Sequence, residues 1–232
     1  MGAMTVPSEL LPDPLPADPL AVAAAWLEEA FRLARQPNPN ALSLATATPE
    51  GKPSARIVLC KAIVPAPGYL LFYTNYRSRK GRELAANPYA AGVLHWDYLH
   101  RQVRIEGTIE PAPESDSDAY FDTRALQSRI GAWASAQSEP VASRARLLEA
   151  VAAAARRFGI SPEAAAADRA PAEARVPRPP HWGGYRLWAQ AVELWVEGAA
   201  RIHDRARWMR SLTRLKDGRL EAGAWSATRL QP

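Results

Sequence analysis

Ser78-Arg79-Lys80 sets two cations directly after a residue suited to cap a helix. The helix dipole is already positive at that end, so both cations are locally unfavourable there. Free backbone N–H groups, a hydroxyl and two cationic side chains together suit the binding of a phosphate. A solvated basic helix start is the other reading. A second group is Arg56-Ile57-Val58-Leu59-Cys60-Lys61. Arg56 and Lys61 bracket an apolar stretch and, an odd number of residues apart, point to opposite faces of a regular strand. They address two ligands, or two ends of one, or are strand cations whose heads reach water. Tyr120, Arg124 and Ser128 are spaced i, i+4, i+8 and share a face if they lie on one helix. A phenol, a guanidinium and a hydroxyl so arranged make a phosphate clamp, or an ordinary helix surface. Gln137-Ser138 can reach phosphate oxygens or cap a loop. Arg201, His203 and Arg205 alternate onto one face of a strand. These groups repel one another unless an anion or an electron-rich ring lies over them, or the face is open to solvent.

The elements that must position these residues follow from periodicity. Residues 1–19, rich in Pro, Asp and Leu from residue 5 onward, read as an extended arm, and 20–232 as one domain. Val22, Ala23, Trp26, Leu27, Ala30, Phe31 and Leu33 predict a helix over 20–35. A β-rich block follows, with strands at 41–48, 54–64, 69–74, 89–96 and 102–110 and one inserted helix after Ser78. Apolar residues of both parities in 54–64 predict a strand covered on both sides. Residues 114–158 read as helical, with Ser115-Asp116-Ser117-Asp118 as a cap. The Ala/Pro-rich stretch 161–180 reads as a surface loop. Strands resume at 185–196, 200–209 and 224–230, with a hairpin turn at Lys216-Asp217-Gly218-Arg219. The expected fold class is mainly β with flanking helices, a barrel or sandwich.

Composition narrows the function classes. The hydrophobic content of 47% and charged content of 23% are those of a globular protein, and no apolar run is long enough for a membrane span. The start at Met1 lacks the basic and apolar regions of a signal peptide, and Gly2-Ala3-Met4 resembles a cloning scar. One cysteine, Cys60, excludes an intrachain disulfide and fits the reducing cytosol. A net charge of +5, spread along the chain, suits a small anionic ligand better than nucleic acid. Cys60, His95, His100, His181 and His203 show no metal-ligand spacing, and P-loop, Rossmann and Gly-x-Ser-x-Gly signatures are absent.

Seven motifs then occur in one order. They are Arg-Ile-Val-Leu-x-Lys from Arg56, Tyr-Thr-Asn-x-x-Ser-Arg-Lys from Tyr73, Arg-Gln-Val from Arg101, and Tyr-Phe-x-x-Arg-x-x-x-Ser from Tyr120. Ile-Gly-Ala-Trp from Ile130, Gln-Ser at Gln137 and Arg-x-His-Asp-Arg from Arg201 complete the set. In these the chain, from about Leu15 to Pro232, resembles the pyridoxine/pyridoxamine 5′-phosphate oxidase family. The resemblance implies an FMN-binding split β-barrel and a homodimer with FMN at the subunit interface. It implies FMN contacts at Arg56, Ile57, Val58, Leu59, Lys61, Tyr73, Thr74, Arg79, Lys80, Gln102, Gln137, Ser138, Trp195 and Arg205. The substrate phosphate would lie against Lys61, Tyr120, Arg124 and Ser128. Arg201 and His203 would cover the pyridine ring and act as the catalytic pair.

The implied reaction is oxidation of pyridoxamine or pyridoxine 5′-phosphate to pyridoxal 5′-phosphate, with dioxygen as final acceptor. The family's N-terminal Arg-Glu-Tyr element has no match before Leu15, and residues 161–175 and 210–222 run longer than usual. Related flavin oxidases of phenazine biosynthesis share the barrel and also lack that element, which makes a tricyclic aromatic substrate the rival expectation. A flavin- or pyridoxal-phosphate-binding protein without turnover is a further one.

Overall fold

A computed structural model describes residues 10–169 and 174–232. Residues 1–9 of the expected arm and 170–173 of the expected loop lie outside them. The described residues form two compact units, one of 10–72, 87–110 and 186–232, the other of 73–86, 111–169 and 174–185.

The first unit is built on a sheet. Its strands are β1 (Ala41–Ala47), β2 (Pro53–Val64), β3 (Tyr69–Asn75), β4 (Tyr89–Trp96), β5 (Arg101–Pro111), β6 (Trp182–Val196) and β7 (Asp204–Met209). A short hairpin, β8 (Leu212–Arg214) and β9 (Leu220–Ala222), precedes β10 (Ser226–Leu230). The order β10-β7-β6-β3-β2-β1-β4-β5 is closed by pairing of β6 with β5, so six strands form a barrel and β7 and β10 extend it. With neighbours along so much of its length, β6 is buried at almost every position, and its sequence is correspondingly apolar. Leu42, Leu44, Phe72, Leu94, Trp96, Val103, Leu187, Leu194 and Trp208 fill the core. Helix α1 (Pro19–Leu33) starts on an Asp18 cap that accepts the Leu20 N–H at 2.9 Å, with Pro19 in the first turn. Its buried stripe, Leu20, Ala23, Leu27 and Ala30, is narrower than the sequence suggests; Phe31 is exposed.

Strand β2 departs from expectation. Up to Cys60 it alternates, with Val58 and Cys60 inside and Ile57 and Leu59 on an exposed face; Ile57 is 62% exposed. Cys60 pairs with Phe72 and Ala62 with Leu71, so Lys61 is the extra residue of a β-bulge. Beyond it the inward parity changes from even to odd, and Ile63 is buried. Apolar residues of both parities thus record a bulge and an open face, not a strand covered on both sides in the single chain.

The second unit carries α2 (Arg79–Ala86), α3 (Glu114–Asp122), α4 (Leu126–Ala134), α5 (Arg144–Arg157) and α6 (Pro162–Ala166). Ser143 and Ser161 cap α5 and α6, accepting backbone N–H groups of Arg146 and Ala164. By contrast, α3 begins at Glu114 after Pro113, with no side-chain cap, and Ser117 instead donates back to the Pro113 carbonyl. Leu126, Ile130, Ala155, Ile160, Ala165 and Val176 form this unit's apolar cluster. Among the described residues of 161–180, therefore, one short helix forms and Ala165 and Val176 are buried. No helix among the described residues is long and apolar enough to cross a membrane.

Two tests follow from this packing. A Cβ on Gly107 of β5 would lie 1.9 Å from the Trp188 carbonyl oxygen of β6. Gly107→Ala is expected to lower stability by about 3 kcal/mol, read from urea unfolding against wild type. Burial pushes the Cys60 thiol up to about 12. Because only the thiolate alkylates readily, native protein at pH 8 is expected to resist iodoacetamide, whereas urea-unfolded protein is labelled fully, as mass spectrometry reads.

Candidate active site

The turn from β3 into α2 is organised by Ser78. Its hydroxyl donates to the Asn75 carbonyl at 2.7 Å and accepts the Gly81 N–H at 3.3 Å, as an N-cap does. Glycine at 81 is required, since a Cβ there would meet the Tyr76 carbonyl oxygen at 2.0 Å. The two cations after Ser78 separate. Lys80 is buried, and its ammonium donates to Thr74 Oγ1 at 2.9 Å, Ser78 Oγ at 2.9 Å and Gln137 Oε1 at 2.6 Å. Arg79 stays largely exposed and pairs with Glu83 one turn on, at 2.9 Å. Gln137 comes from the loop after α4, which Asn75 also holds through the Ser135 carbonyl at 3.3 Å. Ser138 beside it is exposed, with φ of 77°, a left-handed value uncommon for a non-glycine residue.

A wall of aromatic rings stands in the same unit. Tyr73 stacks on Tyr120 at 4.1 Å between centroids and on Trp182 at 5.5 Å, with planes within 14° of parallel. The Arg124 guanidinium lies 4.6 Å over the Trp182 ring. Its Nη1 is buried and has no hydrogen-bond partner. Burial pulls the Arg124 pKa below its ordinary value, with the nearby Tyr120 opposing. Arginine remains cationic under such a shift, so a half-buried positive charge is left with one nitrogen buried and under-bonded. The single helix expected for Tyr120, Arg124 and Ser128 is interrupted. Thr123 closes α3, its hydroxyl donating to the Tyr120 carbonyl at 2.8 Å, and Ala125 turns to an extended conformation before α4. Tyr120 and Arg124 still converge on Trp182; Ser128 lies exposed on α4.

In the first unit, the Arg56 guanidinium donates to the Leu44 carbonyl at 3.2 Å, to Thr46 at 2.6 Å and to Ser54. Ile57 and Leu59 project outward beside exposed Lys61, while Val58 points inward. Gln102 is half-buried on β5 opposite His95. Trp195 on β6 pairs in register with Arg205 on β7 and holds the His203 ring at 4.7 Å. The His203 Nδ1 accepts the Gly198 N–H at 3.2 Å, which leaves the proton of the neutral ring on Nε2. Arg201 does not share a strand face with His203 and Arg205. The strand begins only at Asp204, because Ala200 and Arg201 take left-handed φ values of 53° and 64°. The Arg201 guanidinium is exposed and has no partner among the described residues.

Two residues of this architecture escaped the sequence reading. Glu193, 6% exposed, accepts from Arg205 at 2.9 Å and from Arg104 at 3.1 Å. Its signal was a carboxylate inside the apolar run Ala191–Val196. Trp182 was marked only by the two glycines that follow it.

Comparison with known proteins places these features. Residues 27–158 match the family model described as pyridoxamine 5′-phosphate oxidase. Residues 182–232 match one described as the pyridoxine 5′-phosphate oxidase C-terminal dimerisation region. The pyridoxine/pyridoxamine 5′-phosphate oxidase of Rhodospirillum rubrum is 44% identical over 219 residues, covering 93% of this chain and 96% of its own. That of Cupriavidus necator is 46% identical over 215 residues, covering 93% and 89%. Among solved structures, PhzG from Burkholderia lata 383 in complex with tetrahydrophenazine-1-carboxylic acid superposes with a TM-score of 0.79. It is 31% identical and is covered completely, with 98% of this chain. A pyridoxamine 5′-phosphate oxidase-related, FMN-binding protein from Nostoc punctiforme, 15% identical, gives a TM-score of 0.65 over 94% of this chain and shares the fold. The expected split barrel with flanking helices is therefore borne out. Match and motif order together make this chain a member of the pyridoxamine 5′-phosphate oxidase family.

Proposed function

We propose that the chain is an FMN-dependent oxidase, acting as a cytosolic homodimer with FMN at the subunit interface, that converts pyridoxamine or pyridoxine 5′-phosphate to pyridoxal 5′-phosphate. The observation that carries this reading is the Arg124 guanidinium, laid on Trp182 beside Tyr120 with a buried, unbonded Nη1. In a chain of this family, such a group suits a substrate phosphate, with Lys61, Tyr120 and Ser128 as its companions.

The donor set also fits FMN. Thr74, Arg79, Lys80, Gln137 and Ser138 offer cations, hydroxyls and an amide suited to the cofactor phosphate. The exposed Ile57 and Leu59 offer apolar surface, flanked by Arg56, Val58 and Lys61. Tyr73, Gln102, Trp195 and Arg205 complete the proposed contacts. FMN, if bound, would supply the two-electron chemistry, with N5 as acceptor for the substrate's C4′ hydride and dioxygen as final acceptor, reduced to hydrogen peroxide. The protein's part is to hold the substrate by its phosphate, to orient it through Arg201, and to exchange a proton through His203 Nε2. With an amine substrate, hydrolysis then releases ammonia.

The likeness to PhzG supports a second reading, oxidation of a tricyclic aromatic substrate. The higher identity to the pyridoxine/pyridoxamine 5′-phosphate oxidases and the Arg124 group favour the phosphorylated substrate.

The purified protein is expected to be yellow and, in air, to turn pyridoxine 5′-phosphate into aldehyde and peroxide in equal amounts. Tight flavin binding without either product would overturn the reading. Arg201→Ala is expected to lower kcat/KM by roughly a hundredfold while leaving flavin content near wild type. Loss of flavin with full activity per remaining flavin would contradict the role given to Arg201.

A further inference from the structure

Trp182 is 6% exposed and lies among groups that bear on substrate without being one of them. Its ring is nearly parallel to those of Tyr73 and Tyr120, at 5.5 and 6.2 Å, and meets the Phe121 ring edge-on at 5.0 Å. The backbone under the ring is pinned as well. The Trp182 N–H donates to the Pro179 carbonyl at 3.0 Å. Its carbonyl accepts from Arg178 Nη1 at 2.7 Å, and Arg178 is itself paired with Asp118 of α3 at 2.6 Å. The ring is thus fixed to the helix that carries Tyr120. On it rests Arg124, at 4.6 Å.

An arginine free to sample its rotamers loses much of its binding energy in being ordered. A guanidinium already laid on an indole face has given up that freedom, and the ring's negative face stabilises its charge. The ring also excludes water from one side, which leaves Nη1 buried and unbonded. An anion arriving there meets an oriented and poorly hydrated donor.

We propose that Trp182 is a positioning residue for substrate phosphate, holding Arg124 and Tyr120 in the arrangement that accepts it. The proposal rests on the assignment of Arg124 and Tyr120 to that phosphate. It makes the aromatic wall a determinant of discrimination between phosphorylated and unphosphorylated vitamers, beyond its share in packing.

The test compares kcat/KM for pyridoxamine 5′-phosphate with kcat/KM for pyridoxamine, using FMN-loaded enzyme, in wild type, Arg124→Met, Trp182→Leu and Trp182→Phe. The ratio is expected to fall roughly a hundredfold in Arg124→Met, about tenfold in Trp182→Leu and about threefold in Trp182→Phe, following the loss of charge and the order of ring strengths. A purely structural Trp182 would lower both substrates together and leave the ratio at its wild-type value, which overturns the proposal. Should Trp182→Leu not fold, Trp182→Phe decides on the same criterion. If Arg124→Met keeps the wild-type ratio, the phosphate assignment itself fails and the proposal with it. If Arg124→Met loses the ratio while both Trp182 variants keep it, the assignment stands and the proposal alone falls.

Discussion

A buried ammonium must find an oxygen for each of its N–H groups, and Lys80 finds them on three separate pieces of chain. Thr74 lies near the end of β3, Ser78 caps α2, and Gln137 belongs to the loop after α4. One side chain therefore decides where strand, helix and loop meet in the second unit. The geometry also changes the meaning of the charge conflict at the helix start. One cation is withdrawn beneath the turn and satisfied by neutral oxygens, while the other is turned outward against Glu83. What remains at the surface is a helix end whose positive field is supported from below.

Charge is handled differently in the first unit. There Arg205, Glu193, Arg104, Glu106 and Arg207 alternate in sign along a continuous chain of contacts across β7, β6 and β5. Each carboxylate serves two guanidinium groups. Removing the buried Glu193 would leave Arg205 without a carboxylate and Arg104 with Glu106 alone, which is far costlier than never having buried the pair. Arg205 is fixed by its neighbours, whereas Arg201, outside the chain of contacts, is not. The same contrast recurs in the second unit between caged Lys80 and under-bonded Arg124. Arg124 and Arg201, the less satisfied members of these two contrasts, are both among the residues proposed for substrate.

The strands, the long helices and the Ser78 cap were legible because periodicity and capping chemistry are local. Ser78 was readable as a cap from its neighbours, and Gly81 enforces the turn it starts. The break between α3 and α4 was not readable. Asp122-Thr123-Arg124-Ala125 contains neither proline nor glycine, and the turn depends on a side-chain hydrogen bond from Thr123. Nor was the left-handed pair Ala200-Arg201, since alanine and arginine carry no local preference for that conformation. The residues proposed for the site on regular elements were read from motif order. Trp182 and Glu193 were missed because their roles arise from contacts across the fold, with little trace in spacing along the chain.

The bulge at Lys61 has a consequence for how this sequence can change. Inward-facing parity in β2 differs on the two sides of that residue. Lys61 is therefore an inserted position that carries a charge while the pairing on either side of it runs on in step. Substitution there alters only the side chain. Deleting Lys61 would remove the bulge and leave Cys60, Ala62 and Ile63 in regular alternation, with Ile63 still inward and its pairing with Leu70 unchanged. The cation and the register of the barrel are therefore separable: the strand could lose the charge with its residue and keep every pairing beyond it.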